Sequence, residues 1–96
     1  MATIFDRYGN KIGEVNGMNI LDRYKNMIMS FSGDAIFDRY KNMIGHIRPS
    51  LFGLTVFDRF GNKVGSIENS VIKDRYNNMV GNCASEFGAA LLLLNM

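Results

Sequence analysis

Short apolar pairs alternate along this chain with a polar pentad. The pattern apolar–x–Asp–Arg–aromatic–x–Asn recurs five times, with its aspartates at Asp6, Asp22, Asp38, Asp58 and Asp74. The spacings are 16, 16, 20 and 16 residues, and the longer gap holds the one proline, in the segment RPSLFG. A period this short is a repeat architecture in which each unit is one supersecondary element. Each unit predicts a β-hairpin. A short β-prone strand such as Thr3-Ile4-Phe5 runs into D-R-Y-G-N, and a second strand such as 12–15 follows. Asp opens a type I turn because its carboxylate accepts backbone N–H groups just downstream. Gly9 and Gly61 suit the left-handed residue that follows such a turn. Asn77 tolerates that conformation, whereas Lys25 and Lys41 hold it at a cost of about 1 kcal/mol each. A three-residue loop pairs Asp6 with Asn10, Phe5 with Lys11 and Ile4 with Ile12, and equivalent apolar pairs follow at 20–28, 36–44, 56–64 and 72–80.

One hairpin alone is not stable in water. Both faces of these hairpins are partly apolar, so each unit needs neighbours on two sides. Five hairpins side by side in a closed ring satisfy that need and leave no strand edge exposed. The repeats divide as 3–18, 19–34, 35–54, 55–70 and 71–84, within a single domain 1–96. The predicted fold is mainly β: five hairpins closed into a shallow pseudo-symmetric barrel. A β-solenoid with one coil per repeat is the alternative. Gly13, Gly45, Gly65 and Gly81 recur at one place in the second strand, where glycine permits a bend or a close approach, and Met29 is the exception. After the last hairpin comes SEFGAALLLL, whose Ala and Leu favour helix. Ser85 is placed to cap it and Glu86 to meet its positive end. Four consecutive leucines cover every side of a helix. The segment 85–96 is therefore expected to plug the centre of the ring, or else to meet a membrane or a second chain.

Composition narrows the function. The chain has 96 residues and a net charge of +2. One cysteine excludes a disulfide-stapled scaffold. One histidine with one cysteine cannot build the usual tetrahedral zinc site, so neither metal nor cofactor is expected. The mild basic balance speaks against a dedicated nucleic-acid binder. No leader peptide or membrane-spanning stretch is legible, which points to the cytoplasm with peripheral membrane contact left open. Every polar column repeats nearly unchanged, whereas catalysis needs unlike groups brought together. A non-enzymatic protein is expected.

The segments 5–15 (FDRYGNKIGEV) and 57–67 (FDRFGNKVGSI) resemble the D-x-x-G-N-x-(I/V)-G-x-(I/V) hairpins of Tubby-C-terminal-like proteins, the group that includes LURP-one-related proteins and phospholipid scramblases. The small symmetric β-flower relatives, with hairpins as petals around a hydrophobic centre, are the nearer architectural match. That resemblance implies lipid or phosphoinositide contact, or a scaffold role.

The candidate binding residues stand at two turn positions. Arg7, Arg23, Arg39, Arg59 and Arg75 fall on one rim of a ring, where they suit phosphate, lipid headgroups or a nucleic-acid backbone, or else pair with the neighbouring aspartates and fix the register of the petals. Tyr8, Tyr24, Tyr40 and Tyr76, with Phe60 at the fourth copy, form either a stacking platform or packing between turns. Met27, Met43 and Met79 replace Lys11 and Lys63 and read as a half-exposed flank that could serve a protein partner. His46 shares a column with Glu14, Ser30, Ser66 and Asn82, which reads as solvated. Cys83 stands where Val15 stands and reads as core. The expected function is a β-repeat binding or scaffold module that contacts anionic lipid or an apolar ligand. The alternatives are a protein-interaction module, such as an inhibitor or an assembly subunit that includes a homo-oligomer, and a duplicated or designed symmetric chain with no natural ligand.

Overall fold

Ten antiparallel strands follow one another around a ring, and the last pairs with the first. The computed structural model describes residues 2–94. The strands are β1 (Ala2–Asp6), β2 (Lys11–Asn16), β3 (Asn19–Asp22), β4 (Met27–Ser32), β5 (Ala35–Asp38), β6 (Met43–Pro49), β7 (Gly53–Asp58), β8 (Lys63–Glu68), β9 (Val71–Asp74) and β10 (Met79–Cys83). The barrel closes where Ile4 and Phe5 of β1 face Cys83 and Asn82 of β10. The predicted hairpin ring is therefore the fold, and the solenoid is not. Strands of four to seven residues around so wide a ring give a wheel of 30 × 29 × 21 Å.

The five D-R-x-x-N turns all lie at one end of the barrel and the connections between hairpins at the other. Two of those connections are two-residue turns with glycine first, Gly17 at φ 62° and Gly33 at φ 60°; a third is Asn69-Ser70, with both residues at positive φ. Such turns match the right-handed twist of paired strands. The fourth is the longer loop that carries the proline insertion.

Inside the barrel, the residues at 4, 20, 36, 56 and 72 are at most 1% exposed. Each pairs with a buried residue of the adjacent hairpin: Ile4 with Cys83, Ile20 with Val15, Ile36 with Phe31, Val56 with Ile47 and Ile72 with Ile67. Ten inward side chains thus form one unbroken belt, and Cys83 is the smallest of them, buried as expected.

Within each hairpin the register departs from the simple reading. Phe5 faces Lys11 as predicted, but Ile4 faces Gly13 rather than Ile12, and the same one-residue slip recurs in all five copies. A β-bulge at Ile12, Ile28, Ile44, Val64 and Val80 causes it. An inserted residue bends a strand and raises its twist, which helps five short hairpins to curve into a ring. It also changes what points inward. Without the bulge Ile12 would face the axis; with it, Gly13 does.

The glycine column makes room for the hub and for the next hairpin, whose carbonyls at Leu21, Phe57, Lys73 and Phe5 an added Cβ at Gly13, Gly45, Gly65 and Gly81 would also strike. Ten strands enclose more space than wall side chains fill, since about eight is the number that side chains alone close. The chain leaves β10, makes a 3₁₀ turn (η1, Glu86–Gly88) and enters the barrel as the helix α1 (Ala89–Leu94). Ala89, Ala90, Leu91 and Leu93 are buried. A Cβ added at Gly13 would stand 2.8 Å from Leu91 Cδ2, and one at Gly81 2.5 Å from Leu92 Cδ1. Added atoms at Gly65 and Gly45 would meet Leu93 at 2.7 Å and Leu94 at 2.9 Å. Four consecutive leucines therefore fill four gaps in four hairpins. The remaining hairpin has Met29 in place of glycine, 2% exposed, and it fills its own gap from the wall. Phe87 completes the seal against Phe31, with ring centroids 4.6 Å apart. The central-plug reading of the tail holds, with helix over 89–94 inside the predicted span 85–96; positions 95 and 96 lie outside the described residues. The cap differs from expectation. Ser85 makes no side-chain capping bond, and its carbonyl instead accepts the N–H of Gly88 at 3.1 Å.

Lys41 sits at φ 71°, in the place that Gly9 and Gly61 fill at φ 83° and 86°. An L-residue there is strained by about 1 kcal/mol. The substitution Lys41→Gly is expected to stabilise the barrel by up to about 0.5 kcal/mol, most of the relief being offset by the greater freedom of glycine in the unfolded chain. Urea unfolding of the two proteins checks it.

Candidate functional site

Each turn is built by its aspartate. In the first, Asp6 N–H donates to the Asn10 carbonyl (3.0 Å) and Gly9 N–H to the Asp6 carbonyl (3.1 Å). The Asp6 carboxylate Oδ1 accepts the N–H groups of Tyr8 and Asn10, both at 2.9 Å. Its Oδ2 accepts from the Asn10 side chain at 3.4 Å. The two backbone bonds to Oδ1 recur at Asp22, Asp38, Asp58 and Asp74, at 2.8–3.0 Å. These bonds favour the ionised carboxylate. All five aspartates are held below the usual carboxylate value of 3.8, first by the N–H of the asparagine four residues on, against some opposing desolvation.

With its carboxylate occupied by the turn, each Asp leaves the adjacent Arg free for other partners. The ring of Arg–Asp pairs considered as one reading of the sequence does not form; among the described residues the ion pair found is Lys25–Glu14, at 2.8 Å. Each arginine lies instead over the aromatic ring that follows it. The guanidinium carbon is 5.0–5.6 Å from the centroid in the pairs Arg7–Tyr8, Arg23–Tyr24, Arg39–Tyr40, Arg59–Phe60 and Arg75–Tyr76. An exposed pair of this kind contributes about 0.5–1 kcal/mol, enough to bias a side chain's orientation without tying up its N–H donors.

The aromatics are not packed between turns, which corrects that reading. Tyr8, Tyr24, Tyr40, Phe60 and Tyr76 are 71–75% exposed. The turn end of the barrel thus displays five cation–aromatic pairs around a mouth. Within the mouth stand the half-buried bulge residues Ile12, Ile28, Ile44, Val64 and Val80, with Leu92 and Leu94 of the hub. Charge is distributed along the axis in the same sense. The turn segments 6–11, 22–27, 38–43, 58–63 and 74–79 carry nine Lys and Arg against five Asp. The connections and strand ends at the opposite end carry Asp34, Glu68 and Glu86 against Arg48.

Two further columns singled out in the sequence flank the turns or lie along the strands. Met27, Met43 and Met79 are 36–46% exposed, as the half-exposed flank required. The column of His46 is not uniformly solvated. Glu14 is 4% and Ser30 9% exposed, and the His46 ring stacks on Phe57 of the adjacent strand with centroids 5.0 Å apart. Lys25 reaches across to hold the Glu14 carboxylate below its usual value, by hydrogen bonding first and by charge second, against desolvation.

Sequence reasoning missed the bulge residues as part of the site. Below the rim at the fourth and fifth hairpins lies a pocket of about 230 Å³ lined by Val64, Val80, Leu92 and Leu93, with Asp74, Arg75 and Tyr76 at its edge. A signal for it exists in the chain: the bulge column reads Ile, Ile, Ile, Val, Val.

Comparison with protein families, curated proteins and solved structures finds no match.

Proposed function

We propose that the turn end of the barrel is a docking face for anionic lipid surfaces, and that the protein is a non-enzymatic binding module of the β-flower kind. The observation that carries this reading is the rim itself: five arginines with their N–H donors unengaged by aspartate, each beside an exposed aromatic, around an apolar mouth. Guanidinium groups bind phosphate oxygens through charge-assisted hydrogen bonds. Tyrosine combines an apolar body with a polar tip, which suits the boundary between acyl chains and headgroups. The axial charge asymmetry orients the positive end toward a negative surface. The likeness of the hairpin motif to Tubby-C-terminal-like proteins points the same way. None of the helices among the described residues is long and apolar enough to cross a membrane; the contact proposed is through the rim.

Flotation with vesicles containing phosphatidylserine tests the reading. Association is expected at low ionic strength and weakens as salt is raised, because the attraction is screened over about 10 Å at 0.1 M. Each cation near such a surface is worth about 1 kcal/mol, about fivefold in affinity. The triple variant Arg7→Gln/Arg39→Gln/Arg59→Gln is thus expected to lose about a hundredfold. No flotation at low salt overturns the proposal.

A further inference from the structure

The fivefold symmetry of the mouth is broken at one place, and the break has a chemistry. Three bulge positions carry isoleucine, whereas Val64 and Val80, on adjacent hairpins, each lack a methyl group there. The pocket of about 230 Å³ opens between them, floored by Leu92 and Leu93 of the hub. At about 30 Å³ for each water-sized group, that volume takes a chain of roughly six to eight carbons. At its edge stand Arg75, held over Tyr76 at 5.3 Å, and Asp74. The Asp74 carboxylate is engaged by its own turn, accepting the N–H groups of Tyr76 at 2.8 Å and Asn78 at 3.0 Å. The cation at the pocket's lip is therefore not neutralised by a bonded carboxylate.

We infer that this pocket is a binding site for a medium-chain fatty-acid anion, with the aliphatic chain between Val64 and Val80 and the carboxylate on Arg75. The site rests on the reading of the rim as the anion-binding end and gives it a single-molecule ligand. Apolar walls take the chain through burial, and a guanidinium meets a carboxylate with two parallel hydrogen bonds.

Titration of octanoate into the full chain, followed by methyl NMR, tests the site. The Val64 and Val80 methyl signals are expected to shift with a dissociation constant on the order of 0.1–1 mM, the range that about ten heavy atoms support. The Ile28 methyl, across the mouth, stays in place. Octanol binds about tenfold more weakly, and acetate leaves the valine methyls unmoved. The pseudo-symmetry supplies the controls. Arg75→Gln is expected to weaken octanoate binding about tenfold and Arg23→Gln, at the same position of the second hairpin, to leave it unchanged. Val64→Ile/Val80→Ile restores the residue that the other three hairpins carry, takes up roughly a quarter of the pocket at about 30 Å³ per added carbon and is expected to weaken octanoate binding about tenfold in a folded protein. Failure of octanoate to move the two valines at 5 mM overturns the inference, as does equal loss in the two arginine variants. If vesicles still float the protein in that case, the pocket is lost and the rim reading stands. If octanoate binds as described and vesicles do not, the rim reading falls as a membrane face and the pocket remains.

Discussion

Replacing Leu93 with alanine is expected to lower the stability of the barrel by about 3 kcal/mol, the usual cost of a large-to-small change at a buried site that cannot collapse. Leu93 is 7% exposed and sits against the gap left by Gly65. The strand that carries Gly65 is paired on both sides, so the wall cannot move inward to close the void without breaking its ladder. For a domain of this size 1 kcal/mol shifts the melting temperature by about 4–8 °C, so a drop of about 12–24 °C is expected in a thermal scan. Arg48→Ala, at an exposed position on the opposite end, is expected to change it by less than about 0.5 kcal/mol. A fall of only 1–2 °C on Leu93→Ala would mean that the leucine segment contributes little to the interior.

Acid is expected to unfold the protein over a narrow range. Five turn aspartates have folded-state values below 3.8 because backbone N–H groups hold the ionised form, and Glu14 lies below its usual 4.5 through Lys25. A group whose value is depressed on folding contributes stability above its unfolded value. That contribution is lost as pH falls through the depressed one. The melting temperature should therefore be nearly flat from pH 7 to about pH 5 and fall steeply below about pH 4. The unfolded chain takes up more protons there, and all five turns contribute to the slope. Asp58→Asn removes one of the five titrating groups, so the acid slope should become shallower while stability at pH 7 is reduced by the weakened turn. Thermal scans between pH 2.5 and 7 check both statements. A transition centred near pH 6, or none down to pH 2.5, would contradict the role given to these carboxylates.

The ring of hairpins was legible because one short motif recurs with its turn chemistry intact. Asp, the left-handed position and Asn specify a chain reversal each time, whatever the strands do. The hub was legible in part: four leucines in a row make a helix apolar on every side, which the sequence left to the interior, a membrane or a second chain. The register was not legible. Ile12 looked like the cross-strand partner of Ile4, since a hairpin with a three-residue loop pairs them by simple counting. The bulge that separates them turns glycine to the inner face, where an added Cβ would meet both a backbone carbonyl of the next hairpin and a leucine of the helix, and a count along one hairpin contains neither. A trace of it was present. Gly13 shares its face with the core residue Val15, and Ile12 does not, so alternation alone puts the glycine inside. Met29 looked like an exception in a glycine column and proves to be its fifth filler.

The rim misled for a different reason. Arg7 next to Asp6 in sequence suggests an ion pair, but the carboxylate has nearer donors in its own turn, and backbone N–H groups two and four residues on are fixed in place before any long side chain is ordered. The arginines are therefore left with the aromatic faces beside them. Exposure of the tyrosines follows from the same geometry, because a three-residue loop at the lip of a barrel has no neighbour close enough to cover its middle residue.

The keyed contact between hub and wall can be observed directly by nuclear Overhauser measurements on the full chain, with leucine methyls and glycine α-protons labelled. Cross-peaks are expected from Leu91 to Gly13, from Leu92 to Gly81 and from Leu93 to Gly65, three neighbouring leucines each touching a different hairpin. Leucine methyls that show no glycine contacts and are broadened by a soluble paramagnetic probe would contradict the keyed contact.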